Sequence, residues 1–209
     1  MVVAPLILLG APITLGLRVA SPETRRKVLL PILHSRAVRF FSFPVIAWLL
    51  FAGTMWISHF SPLFDSALEN AWIHRFEHLL YLTTAMMFWW QAIGVDPAPW
   101  RMNGPARVLY VFLQMPQNSF LALAIYSSNH VIYKHYETLQ RTWGPSPLAD
   151  QQQAGLIMWV AGDLLFLGAL CFVIAKWVKA EEMETKRQDR AQARRKAEAA
   201  TVRAQVSEE

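Results

Sequence analysis

The stretch Trp72–Trp90 contains residues whose types and spacing could bind a metal ion. His74, Glu77 and His78 form the pattern His-x-x-Glu-His, which supplies zinc ligands and a general base in one group of proteases. On a helix, residues at i and i+4 lie one turn apart with Cβ atoms about 5–6 Å from each other, so both imidazoles can reach one ion. Glu77 shares this face, with Tyr81 one turn deeper. The spacing predicts either a metal site or an interfacial hydrogen-bonded cluster in which Glu77 pairs with the neighbouring arginine or with a histidine.

A proteolytic role would require more than this motif. A metalloprotease needs a water-activated zinc, a third ligand and access for a peptide. Here the pattern opens an apolar segment, and no recognisable third-ligand motif accompanies it. The sequence therefore favours a non-enzymatic protein over an intramembrane metalloprotease.

Long apolar runs must position these residues. The chain has 209 residues and is 54% hydrophobic, and four runs reach the roughly 20 residues needed to cross about 30 Å of hydrocarbon. A fifth, shorter run opens the chain. The predicted fold is an all-α, polytopic transmembrane bundle in a lipid bilayer, with its helical domain over residues 1–178. The predicted helices lie near 1–17, 37–60, 71–94, 105–127 and 152–177.

The charge distribution predicts how the bundle is oriented. Seventeen of the twenty Lys and Arg residues fall in 18–39, in 96–107 and from position 176 onward. This alternation between connections follows the positive-inside rule for a five-helix chain, with the N-terminus outside and the C-terminus in the cytoplasm. The net charge of +5 therefore reports topology, and no nucleic-acid partner is expected. Residues 179–209 are charged without an apolar stripe, which predicts a cytoplasmic tail, either helical or disordered.

The predicted topology gathers further metal donors on the outer side. Five of the six histidines fall there, at the ends of two helices and in the second outer loop, and one methionine lies near the same face. Histidine and methionine together are the donors that Cu(I) prefers. The candidate metal ligands are His59, His74, Glu77, His78, His130, His135 and Met158.

A second polar layer is predicted near the middle of the bilayer. Asp163 lies about ten residues into the fifth helix, where a lone carboxylate costs about 2.5–3.5 kcal/mol on insertion scales. Gln114, Gln117 and Asn118 share a face of the fourth helix, and Pro116 opens that helix locally. We expect Asp163 to contact Asn118 or Gln117. A structural hydrogen bond between helices is favoured over a transport or proton path.

Several stretches, taken in order, resemble one family. They are "VAPLILLGAPITLGLR", "HRFEHLLYLTTAMMFWWQAIGVDP", "QMPQNSFLALAIYSS" and "SPLADQQQAGLIMWVAGD". They resemble the CtaG-type cytochrome c oxidase assembly factors of bacteria over nearly all of residues 2–178. The resemblance implies a multi-pass plasma-membrane protein that helps to build a copper-containing oxidase, with oxidase subunits as partners and copper as its cargo.

The resemblance also assigns residues and leaves alternatives. It matches His74 and His78 to the family's histidines at the outer end of this helix, and places Asp150, Gln151 and Met158 near them. Longer members carry further helices and a histidine-containing stretch before the segment that opens here, so part of the outer site can lie outside this chain. A copper uptake or export protein and a metal-free scaffold for oxidase subunits stay open.

Overall fold

The computed structural model describes residues 3–140 and 142–208, with side chains to position 196. Every regular element in these ranges is helical, which confirms the all-α class. A π-helical turn, Arg25–Leu29, joins α3 to α4. The α-helices are α1 (Val3–Leu9), α2 (Pro12–Val19), α3 (Pro22–Thr24), α4 (Leu30–Leu33), α5 (Arg36–Phe41), α6 (Pro44–His59), α7 (Leu63–Glu69), α8 (Ala71–Ile93), α9 (Gly104–Phe112), α10 (Gln114–Tyr126), α11 (His135–Thr138) and α12 (Pro147–Glu208).

Two helical segments are long and apolar enough to cross a membrane. They are Gly104–Tyr126, which joins α9 to α10, and the Pro147–Lys196 part of α12. A third candidate exists if α6 and α7, which meet at 66°, form one bent span. Helix α8 has the length, at 23 residues, but its histidines and Glu77 lower its apolar content. The total of about five spans and the orientation of the two ends stay predictions.

Breaks divide the helices expected over 1–17 and 37–60. Proline supplies no backbone N–H and therefore suits the first position of a helix, and Pro12 and Pro44 begin α2 and α6. At the second break the carbonyl of Ser42 accepts a hydrogen bond from Gln91 Nε2 at 2.7 Å. The bundle can therefore bury this break, because a neighbouring helix satisfies the freed carbonyl.

The helix expected over 105–127 is also broken, three residues before Pro116. Because Pro116 has no N–H, it cannot donate to the carbonyl of Phe112 four residues earlier. Helix α9 ends at that residue and α10 begins at Gln114. The polar residues of α10 consequently lie just beyond the break.

The two remaining predicted helices are continuous. Helix α8 matches 71–94 closely: Asn70 Oδ1 accepts from the Trp72 amide at 2.9 Å at its start, and Gly94 with φ 56° ends it. Helix α12 begins at Pro147, before the expected 152, and continues through the charged tail. The tail is thus helical as far as position 208.

Stacked aromatic rings form the centre of the bundle. Phe88 of α8 stacks on Phe51 of α6 and on Tyr110 of α9, with 4.8 Å between ring centroids in each pair. Trp89 stacks on Phe166 of α12 at 5.5 Å. This core joins four helices and fixes the positions of the polar residues at either end of α8.

Glycines let α10 and α12 approach closely. A Cβ at Gly155 would lie 2.9 Å from the backbone nitrogen of Tyr126, and one at Gly162 would overlap the amide of Asn118. Small residues commonly allow such backbone approach between membrane helices. The approach brings Asp163 and Met158 of α12 beside α10.

Candidate metal-binding cleft

His74 and His78 lie together at the start of α8, as their spacing predicts. Their ring centroids are 4.4 Å apart, and both residues are exposed. Glu77, beside them on the helix, is instead buried in the bundle, where only 4% of its surface is exposed. The two histidines are therefore accessible to a ligand, whereas the carboxylate belongs to the interior.

A hydrogen-bonded cluster surrounds Glu77. The hydroxyl of Tyr81 donates to Glu77 Oε1 at 3.0 Å and lies 2.7 Å from Ser58 Oγ. Ser58 Oγ in turn donates to the carbonyl of Met55 at 3.1 Å. The partner of Glu77 is thus Tyr81, whereas Arg75 or a histidine was expected. The guanidinium of Arg75 lies outside this cluster, 4.9 Å over the ring of Trp72.

His59 has one ring nitrogen directed at the backbone. Its Nδ1 lies 2.8 Å from the carbonyl of Met55. Because a carbonyl can only accept, this contact places the proton of the neutral ring on Nδ1 and leaves the lone pair on Nε2. The tautomer therefore suits His59 to bind a metal ion through Nε2.

An open, mainly apolar cleft of about 710 Å³ brings donors from three helices together. His59 of α6, His78 of α8 and Met158 of α12, all predicted from the sequence, line it. Met55, which the sequence did not indicate as a donor, lines it as well. Met55 lies four residues before His59, so helical spacing was the signal that could have identified it. We call this the His/Met cleft, and the end of the bundle that contains it the histidine end.

The loop between α10 and α12 packs over this end. The amide of Ile132 donates to Gln151 Oε1 at 2.7 Å, and the ring of Tyr133 packs on Phe64 with 4.4 Å between centroids. Burial, followed by the nearby charges of Tyr136, Asp65 and Glu77, raises the pKa of Tyr133 to about 12. The loop is therefore anchored to α7 and α12.

His130 and His135 are in this loop but do not line the His/Met cleft. His135 Nδ1 lies 3.5 Å from Glu69 Oε1, and its amide donates to Asp65 Oδ1 at 3.4 Å. The His130 residue is exposed, and its carbonyl accepts from Gln151 Nε2 at 3.2 Å. Within residues 3–140 and 142–196, no group of three or more His, Cys, Asp or Glu residues could hold a metal ion. A site here would therefore need methionine sulfur or a ligand from elsewhere.

Most polar side chains of the second layer bond to neighbouring helices. Asn118 Nδ2 donates to Asp163 Oδ1 at 3.1 Å, which confirms the expected contact, and Ser119 Oγ lies 2.8 Å from Oδ2. Gln117 Oε1 accepts from the indole of Trp56 at 3.2 Å. The sequence did not indicate Ser119 as a partner of Asp163. Asn118 and Ser119 both reach this carboxylate because of the way α10 packs against α12, which the sequence pattern does not determine.

Gln114 belongs to the same face but not to this network. It is buried, and its Oε1 has no hydrogen-bond partner among the described residues. It borders a cavity of about 10 Å³, which Gln117 and Asn118 also line. That volume is about the space one water molecule needs.

The match to known families extends over most of the chain. The model of the cytochrome c oxidase caa3 assembly factor family, Caa3_CtaG, matches residues 1–180. The chain belongs to this family. Membership confirms the resemblance read from the four sequence stretches, and the matched range contains the His/Met cleft and the Asp163 layer.

Curated relatives are much longer than this chain. Proteins described as uncharacterized from Mycobacterium bovis, Mycobacterium tuberculosis and Mycobacterium leprae are each 32% identical to it over 197 residues. The alignment covers 91% of this chain and 30% of each relative, so the chain spans less than a third of their length. No solved structure matches the chain.

Proposed function

We propose that this protein is an assembly factor for a bacterial copper-containing cytochrome c oxidase and that it binds or passes copper in the His/Met cleft. Family membership supports the assembly role. The cleft itself is the observation that supports copper, because it collects two histidines and two methionines from three helices. In this proposal the histidine end faces outside the plasma membrane, and the partners are oxidase subunits.

The donor chemistry of the cleft fits copper better than zinc. Thioether sulfur is a soft ligand that selects Cu(I), whereas zinc sites use thiolate, imidazole and carboxylate. Met55 and Met158 supply the thioethers, while His59 and His78 supply imidazoles. Their mainly apolar surroundings also suit a cation of low charge.

Three observations support a carrier over an enzyme or a transporter. Glu77, the residue that would activate water in a protease, is buried and bonded to Tyr81. A transporter would need donors continuing across the bundle, but stacked aromatic rings fill its centre. The carboxylate of Asp163 has both oxygens engaged by α10.

A metal-free scaffold is the second candidate function. It is favoured by the bonds that already occupy Glu77 and His135, and by the lack of a three-residue His, Cys, Asp or Glu group among the described side chains. On this alternative the histidine end would contact oxidase subunits through its exposed surface without metal.

Copper binding by the purified full chain tests the proposal. We expect wild-type protein to bind Cu(I) in competition with a chelator, and His59→Ala and His78→Ala each to weaken binding by about tenfold or more, as losing a ligand should. His34→Ala, whose Nδ1 lies against the carbonyl of Leu30, is the matched control. His130→Ala should also bind normally, because this residue does not line the cleft.

The outcomes separate the two candidates. Equal copper affinity in wild type, His59→Ala and His78→Ala would overturn the His/Met cleft as the site. Wild-type protein that binds no copper yet co-purifies with oxidase subunits would establish the scaffold. Loss of binding in His130→Ala alone would move the site into the loop.

A further inference from the structure

A second cavity, of about 390 Å³, lies at the opposite end of the bundle from the His/Met cleft. The last turn of α8, the connection that follows it and the first turns of α9 surround it. Among the residues that line it are Trp90, Gly94, Asp96, Trp100, Arg101 and Arg107. Because the apolar segment Gly104–Tyr126 begins here, the cavity lies at the level where a crossing helix leaves the hydrocarbon. We call this end of the bundle the arginine end.

Arg107 is the most deeply placed cation of the cavity. Its guanidinium packs against Gly94, where a Cβ would lie 2.6 Å from Nη2. Nη2 donates to the carbonyl of Met102 at 3.3 Å, and the buried Nε has no partner among the described residues. Glycine at position 94 therefore leaves space for a guanidinium whose hydrogen-bonding capacity is only partly used.

Further cations lie at the edges of the cavity. Arg101 is exposed at the rim, and the guanidinium of Arg39 lies 4.9 Å over the ring of Trp100. Lys176 of α12 donates to the carbonyls of Ile93 and Gly94 at 3.1 and 3.2 Å. Like charges gathered in this way repel one another unless an anion lies between them.

The carboxylate that lines this cavity, Asp96, already accepts hydrogen bonds from α2. Asp96 accepts from the amides of Ile13 and Thr14 at 3.2 and 2.7 Å and from the Thr14 hydroxyl at 2.7 Å. It thereby caps the start of α2. Within the part of the chain whose side chains are described, no carboxylate forms an ion pair with Arg39, Arg101, Arg107 or Lys176. The cavity therefore has an excess of positive charge.

We infer that this cavity binds the phosphate headgroup of an anionic phospholipid. Arginine forks bind phosphate oxygens in pairs, and basic pockets between membrane helices accept anionic headgroups. The indoles of Trp90 and Trp100 are residues that membrane interfaces favour, and the exposed Val95 in the lining offers an apolar contact to the lipid beyond its headgroup. This inference is independent of the copper proposal.

Lipid retention by the purified full chain tests the inference. The probes are dioleoylphosphatidylglycerol and dioleoylphosphatidylcholine, added in equal amounts to detergent-solubilised protein and counted by native mass spectrometry. We expect the anionic lipid to be retained at least about fivefold more than the zwitterionic one, and Arg101→Gln and Arg107→Gln each to reduce its retention about fivefold. Arg75→Gln, at the histidine end, removes the same charge and should have no effect.

Two further measurements allow the inference to be rejected even if one variant fails to fold. Arg101 is exposed at the rim, so Arg101→Gln should fold even if Arg107→Gln does not. Inorganic phosphate at high concentration should fail to displace the lipid, since it has no acyl chains to hold it. Equal retention of the two lipids, unchanged retention in Arg101→Gln, or displacement by phosphate would each overturn the inference.

Discussion

The His/Met cleft and the Asp163 layer are both polar regions of an apolar bundle, but they use their polar atoms differently. In the Asp163 layer an amide and a hydroxyl of α10 occupy the two carboxylate oxygens. In the cleft, the backbone contact of His59 leaves its Nε2 lone pair available, and His78 is exposed. The first region joins two helices, and the second offers donors to something outside the chain.

This difference shows why a polar residue within a membrane helix is weak evidence for a ligand site. Burying a polar group costs free energy unless it has a partner, and the bundle itself can supply that partner. Glu77 illustrates the point, because it belongs to a metal-binding pattern and yet bonds to Tyr81. The hydrogen-bonding capacity that remains unused, together with access from outside, identifies the ligand-binding atoms.

The largest expected effect comes from forcing α10 and α12 apart. Gly155→Val would place its Cβ 2.9 Å from the backbone nitrogen of Tyr126, and such overpacking should lower the free energy of unfolding by about 3 kcal/mol. Gly168→Val is the matched control in the same helix, because no atom of another described element lies within 4 Å of its Cβ position. Unfolding in mixed micelles with increasing SDS measures both, and equal stability of the two variants would show that the close approach is not required.

The next effect separates a structural carboxylate from a functional one. Asp163→Leu removes the charged acceptor that the Asn118 amide and the Ser119 hydroxyl share, and leaves them only backbone carbonyls, at 3.4 and 3.0 Å. Losing these two bonds to a carboxylate should cost about 2 kcal/mol of stability. Asp163→Asn keeps one acceptor oxygen and should cost less. Copper affinity should be unchanged in folded Asp163→Asn. If this variant were as stable as the wild type but bound copper more weakly, Asp163 would take part in handling the metal.

A smaller effect tests whether sulfur selects the metal. Replacing both cleft methionines, Met55→Leu with Met158→Leu, should weaken binding of Ag(I), a surrogate for Cu(I), by about tenfold, or about 1.4 kcal/mol. Binding of Zn(II) should not change. Met183→Leu, at an exposed position of the tail, is the control. Equal losses for both metals would indicate that the methionines only shape the cleft.

The smallest effect is expected at the residue that first indicated a protease. In Glu77→Gln the amide oxygen can still accept from Tyr81, so the change in stability should be below about 1 kcal/mol. Copper affinity should not change. A tenfold loss in isothermal titration would instead make Glu77 a metal ligand.

Local sequence patterns predicted one helix of the site well but not the interruptions of others. Helix α8 lies where the apolar run indicates, and the His74–His78 pair follows from the helical period alone. The breaks before Pro12 and Pro44 were not predicted, because tertiary packing decides whether a proline begins a helix or bends one. At Ser42 that packing is the bond from Gln91.

The composition of the cleft shows the same limit. His59, His78 and Met158 could be assigned to one end of the bundle from topology. Their common cleft, and the absence of His130 and His135 from its lining, depend on how three helices rotate about their axes. A pattern of residue types does not fix that rotation. Met55 follows from the helical period only once it is known that the face of α6 that carries His59 turns to the cleft.

The continuity of α12 has a mechanical consequence. Its 62 residues form a rod about 93 Å long at 1.5 Å per residue, and the same rod carries Met158, Asp163 and the charged tail. These three parts cannot tilt or turn independently while the helix stays intact. A force applied to the distal tail would tilt the helix about the point where Lys176 is bonded to the carbonyls of Ile93 and Gly94, and the intact helix would transmit that tilt to the wall of the cleft.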